Sequence, residues 1–191
     1  SYLSRSFIMN ALDLLLTRSS YNKLVAPAPS GEALDNILSA AHRVPDHANL
    51  SPFEFIVCQN DGLTKLADIY HQAAIKSGFD EAAIEKAKIL PFRAPMIIIG
   101  ICKYKHHDMV PRVEQVATTA CALHNMQLAA FAQGFNGIWR TGNYSQNQYV
   151  NEALGLTKLD EVIGFMYLGT PMEDTPIKKA KKQTDTVSYW D

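Results

Sequence analysis

Cysteine is scarce in this chain, and long apolar runs are absent. Among 191 residues there are three cysteines, Cys58, Cys102 and Cys121. An odd count at wide spacing excludes a disulfide framework, a zinc knuckle and a Cys-x-x-Cys redox pair, and it fits a reducing compartment. No stretch approaches the ~20 apolar residues of a membrane-spanning helix. The amino terminus shows no basic region followed by an apolar core. The expectation is a soluble, cytoplasmic protein with no membrane partner. Net charge is nearly absent too, at −1, so the overall balance gives no reason to expect nucleic acid or an anionic surface as partner.

Several catalytic signatures are also missing. There is no Gly-x-Gly-x-x-Gly turn, and the chain does not open on a strand, which argues against a Rossmann enzyme. No Gly-x-Ser-x-Gly elbow occurs. His42 and His47 are separated by Pro45 and share no helical face, while His106 and His107 are adjacent with no cysteine nearby, so no metal site is expected. Without a strong set of polar catalytic residues, a bound cofactor is the natural carrier of any chemistry.

What is present fits one globular domain over residues 1–191, with 47% hydrophobic and 19% charged residues. Met9 is a candidate original start, which would make residues 1–8 an extension. Apolar spacing predicts a first amphipathic helix from about Phe7 to Thr17, followed by Arg18-Ser19-Ser20. A second helix opens after Ser30 and delivers the chain to Arg43. From there to Phe53 the sequence Arg-Val-Pro-Asp-His-Ala-Asn-Leu-Ser-Pro-Phe must be a loop, because each proline removes a donor and extends its predecessor.

Phe53 to Cys58 alternates as a strand. Helices follow from Asp61 to Ser77 and near Glu81 to Ile89, the latter solvated by its charges. Met96 to Cys102 is a continuous β-branched run, read as a strand buried on both faces. The longest helix spans about Arg112 to Gln133 and ends at Gly134; it is apolar nearly all round and must be covered on most sides. Asn136 to Gly142 reads as a strand, Gln146 to Ala153 as a short helix, and Val162 to Thr170 as a fourth strand in which Gly164 suggests close approach of another backbone. Residues 172–191 form a basic, aromatic-ended tail expected to dock on this chain or on a twin subunit.

Three segments hold polar groups suited to a ligand: Arg18-Ser19-Ser20, the Arg43 to Phe53 loop with His47 and Asn49, and Trp139-Arg140-Thr141. Each has a plain alternative, such as a helix-end arginine, a connector or a surface histidine. Together they offer cations and hydroxyls for a phosphate and donors for a heteroaromatic edge.

The ordered set Arg-x-Ser, Val-Pro-x-x-x-Asn-x-x-Pro-Phe, an alanine-rich helix ending in Gln-Gly-Phe, Gly-Ile-Trp-Arg and Tyr-Leu-Gly-x-Pro resembles the nitroreductase family, and within it a subgroup of minimal length. The resemblance runs from about Met9 to Pro171. It implies an α+β fold, with a central mixed sheet of about four strands flanked by helices and completed in a homodimer. It also implies FMN at the dimer interface, NADH or NADPH as donor, and a small-molecule acceptor such as a nitroaromatic or quinone. Carried over, Arg18, Ser19 and Ser20 would hold the phosphate and ribityl chain. Arg43, His47 and Asn49 would reach the cofactor from the other subunit. Trp139, Arg140 and Thr141 would line the same pocket, and Ala129, Ala130, Phe131, Ala132, Gln133 and Gly134 would lie near the nicotinamide.

Two departures stand out. Asn22 occupies the place of a lysine common in the family, leaving charge stabilisation to Arg43, Arg140 or a backbone dipole, and Ser51-Pro52-Phe53 replaces Gln-Pro-Trp. Lys178, Lys179 and Lys181 are equal candidates for a further phosphate partner. A flavin-storing or flavin-sensing protein with little turnover fits the same residues.

Overall fold

The computed structural model describes residues 9–191. Phe7 and the proposed extension lie outside them. The first helix, α1 (Ala11–Thr17), starts where Asn10 accepts a hydrogen bond from the Leu12 N–H. Its burial is unlike that of an ordinary amphipathic helix. It has no buried residue, and Leu12, Leu15 and Leu16 are 64%, 59% and 78% exposed.

The remaining elements are β1 (Leu24–Val25), α2 (Gly31–Ala41), β2 (Phe53–Gln59), α3 (Asp61–Lys76), α4 (Glu81–Ala87), β3 (Met96–Cys102), α5 (Arg112–Ala132), β4 (Asn136–Arg140), α6 (Gln148–Ala153) and β5 (Glu161–Pro171). The α+β class and the flanking helices agree with expectation. The sheet does not match in detail. Among the described residues it has five strands, and all four pairings are antiparallel rather than mixed. β5 pairs with β3 on one edge. Its other edge carries β4 and, beyond it, the two-residue β1.

Every residue of β3 is buried, as its unbroken apolar run predicts. Alternation then divides the core into two layers. Ile97, Ile99, Ile101, Phe165 and Tyr167 face α3, α4 and α6, whereas Met96, Ile98, Met166 and Leu168 face α2 and α5. The left-handed Gly134 (φ +89°) follows α5, whose long apolar surface packs on both α2 and the sheet.

Gly164 permits a close approach, but to a side chain rather than to a backbone. A Cβ built there would sit 1.9 Å from the indole nitrogen of Trp139, which donates to the Ile163 carbonyl at 3.1 Å. The tail leaves the sheet after Pro171 and has no regular element. Tyr189 and Trp190 are 83% and 96% exposed on this chain.

Replacing Gly164 by alanine should therefore displace the Trp139 ring. Overpacking of this kind costs about 1–3 kcal/mol, so urea unfolding should show a lower midpoint, with altered tryptophan fluorescence in the native state. An unchanged midpoint and spectrum would contradict this packing.

Candidate functional site

β4 is a strand with one edge in use. The Gly137 carbonyl turns away from β5 and accepts from the Tyr21 N–H at 3.1 Å and from Gln127 Nε2 at 2.9 Å. Antiparallel alternation points the Trp139 N–H and C=O the same way. Among the described residues no hydrogen bond reaches them. This free edge lies between two cationic cavities.

The first cavity, of about 270 Å³, is lined by Arg18, Ser19 and Ser20 together with Lys178, Lys179 and Lys181. The start of the tail is pinned to the motif after α1. The Ser19 hydroxyl donates to the Pro176 carbonyl at 3.3 Å, and buried Asn136 donates to both the Ser19 carbonyl and the Thr175 hydroxyl, at 2.9 and 3.0 Å. The Arg18 guanidinium reaches the Ser20 hydroxyl at 3.5 Å. Hydroxyls and four cations around so small a space suit a phosphate monoester. The positive field is felt nearby: His124 on α5 titrates below its ordinary value, first because burial penalises its charged form and second because Arg18 repels it.

The second cavity, of about 470 Å³, lies under the other end of β4. Trp139, Arg140 and Thr141 all border it. The indole of Trp139, however, packs on the α2 and α5 side, while the Arg140 guanidinium sits 5.7 Å from the Tyr167 ring on the opposite face. Lys86 and Arg93 complete the cavity's positive wall. Neither stands out in the sequence, because Lys86 sits among helix charges that read as solvated. The usable signal is Arg93, isolated between Phe92 and Ala94-Pro95 with no acidic neighbour.

The loop bearing Arg43, His47 and Asn49 lines neither cavity of its own chain. It is exposed but well anchored. Asp46 accepts from the Leu50 and Ser51 N–H groups, Thr118 donates to the Pro45 carbonyl, and His47 Nδ1 lies 2.8 Å from Glu114 Oε2. Within a short 3-10 turn, Ala48 and Asn49 adopt φ of 61° and 51°, and Ser51 follows at 47°. Side chains rarely hold this conformation without support from their surroundings. The segment from Ala129 to Gly134 also lines neither cavity. Ala130 is fully buried in the core, and Gln133 uses its amide on α2, donating to the Ala33 carbonyl and accepting from Asn36. Phe131 and Ala132 are half-buried, and Gly134 ends the helix.

Removal of the nearby cation in Arg18→Ala should raise the His124 pKa toward its ordinary value, as read from imidazole NMR shifts over a pH series. Because its folded value is depressed, His124 contributes stability that is present above the unfolded pKa and lost as pH falls below it. An unmoved His124 titration would contradict the coupling.

The chain matches the family model described as Nitroreductase family over residues 15–170. It is 46% identical over 163 residues to a protein of Escherichia coli (strain K12) named "Putative NAD(P)H nitroreductase YdjA", covering 85% of this chain and 89% of that one. Among solved structures, a nitroreductase-like family protein from Bacillus cereus superposes with a TM-score of 0.82 at 22% identity, covering 96% and 97% of the two chains. A nitroreductase with bound FMN from Bacteroides fragilis superposes with a TM-score of 0.72 at 21% identity, covering 96% and 100%. The chain belongs to the nitroreductase family.

Proposed function

We propose that this protein is an FMN-dependent NAD(P)H oxidoreductase that works as a homodimer. The observation that carries the proposal is the succession of a cationic cavity tied to the start of β4 through Ser19 and Tyr21, an open strand edge, and a second cationic cavity at the far end of β4. FMN presents a phosphate, a polyol and a heteroaromatic edge in the same order. Arg18, Ser19 and Ser20, with Lys178, Lys179 and Lys181, would hold the phosphate end. The free Trp139 backbone and the residues around Thr141 would meet the ring edge. The kinship with YdjA, named for NAD(P)H, and the FMN bound in the Bacteroides fragilis structure support donor and cofactor.

Bound FMN would supply the redox chemistry, accepting a hydride from the nicotinamide and passing reducing equivalents to a nitroaromatic, quinone or similar acceptor. The protein's share is orientation and charge. No side chain is assigned as a general acid or base.

The homodimer rests on what the single chain leaves unfinished. Leu12, Leu15 and Leu16 of α1 and Val113 of α5, itself 71% exposed, are apolar surface that a second copy would cover. Such a copy could bring the rigid loop carrying Arg43, His47 and Asn49 to the open edge. The same interface would give the aromatic end of the tail a surface on which to dock.

The test is stopped-flow mixing of FMN-loaded protein with NADH or NADPH, in which the flavin absorbance should bleach and recover on addition of a nitroaromatic or quinone. Flavin that binds but does not bleach would contradict the oxidoreductase reading and leave a storage protein. Loss of a charge-assisted contact costs about 1.5–3 kcal/mol, so Arg18→Ala should bind FMN roughly 10- to 100-fold more weakly.

A further inference from the structure

The cavity under the end of β4 carries a charge imbalance that the chain does not resolve internally. Lys86 from α4, Arg93 from the 3-10 turn before β3 and Arg140 from β4 converge on it, and among the described residues no carboxylate or imidazole belongs to its lining. Among the described residues none of the three cations forms an ion pair. Arg140 Nε is buried with no hydrogen-bond partner among the described residues. A guanidinium N–H taken out of water with nothing to donate to is an unfinished site.

The floor beneath the cations is flat and aromatic. Tyr70 and Tyr144 stack at 4.2 Å between centroids, 7° from parallel, and the Tyr167 ring lies under Arg140. These phenols cannot serve as counter-ions. Burial raises all three, and at Tyr167 the hydrogen bond with Tyr70 and then the pull of Arg140 and Arg93 only partly offset this. A wall of three cations over aromatic rings, opening beside a strand edge with a spare N–H at Trp139, suits negative charge spread over a planar ring.

Resting on the FMN reading above, we infer that Lys86, Arg93 and Arg140 form an electrostatic wall that favours the flavin ring in its charged, reduced state over its neutral, oxidised state. A hydride carries two electrons and one proton from the nicotinamide, which leaves as NAD(P)+, so its acceptance adds one net negative charge to a neutral ring. The three cations stabilise that added charge and gain little from the neutral ring. The cations around Arg18 act differently. They face a phosphate whose charge is the same in both states, so they hold the cofactor without tuning it.

The experiment is a reductive titration of FMN-loaded protein against a reference dye, giving the midpoint potential of the bound flavin. Lys86 and Arg93 are exposed at the cavity mouth, so Lys86→Gln and Arg93→Gln should fold normally, which thermal melts would verify. Each should lower the ratio of reduced-state to oxidised-state affinity about tenfold, a shift of about 30 mV to more negative potential for a two-electron couple. Arg93→Lys, which keeps the charge, should retain the parent potential. Lys178→Ala should weaken FMN binding in both states alike and leave the potential in place. Normal FMN binding with unmoved potentials in both glutamine variants would overturn this inference alone. Failure of the parent protein to bind FMN would overturn the cofactor reading and this inference with it.

Discussion

An antiparallel strand has two hydrogen-bonding edges, and β4 uses only one of them fully. β5 takes the inner edge from Asn136 to Arg140. On the outer edge the Gly137 carbonyl is occupied by Tyr21 and Gln127, and beyond it no described residue bonds to the strand. Exposed strand edges in native proteins are usually blunted or covered. Here the two cationic cavities flank the edge instead, which suits a covering ligand with a phosphate at one end and, at the other, a ring that takes up negative charge. The buried β3–β5 pair makes this possible by fixing β4 in place from behind, and Gly164 makes room for the Trp139 indole against β5 while Arg140 turns to the other face.

Much of the fold is legible in the sequence wherever burial and periodicity coincide. The apolar run of β3, the long apolar α5 and the glycine that ends it need no tertiary knowledge. The antiparallel sense of every pairing is a different matter, because periodicity shows that a strand exists but not which neighbour it finds. β1 is too short to carry a pattern; its two residues are a strand only because β5 extends to Pro171. At Gly164 the need for space is visible in the sequence, but the identity of the occupant is not.

The candidate site divides in the same way. Arg18-Ser19-Ser20 and Trp139-Arg140-Thr141 are recognisable as short motifs, whereas their partners are set by chain distance. Ser19 meets Pro176 across 157 residues, and this contact brings Lys178, Lys179 and Lys181 beside Arg18. Lys86 and Arg93 look like ordinary surface charges until α4 and its following turn are folded over Arg140. The loop from Arg43 to Phe53 was legible as rigid and polar, but its left-handed residues at Ala48, Asn49 and Ser51 are a property of the fold. Its absence from both cavities of its own chain is the geometric basis for the proposed requirement of a second subunit.

That requirement is the central claim, and mixing subunits tests it most directly. Arg18→Ala removes the phosphate grip and Asn49→Ala removes a contact donated from across the interface, so each homodimer should bind FMN weakly at both sites. If each site combines Arg18 of one chain with Asn49 of the other, a mixed dimer contains one doubly impaired site and one intact site. Co-refolded mixtures should then regain flavin at parental affinity, at one per mixed dimer, as measured by fluorescence titration. Flavin binding that is no stronger in the mixture than in either variant alone would contradict a site shared between two chains.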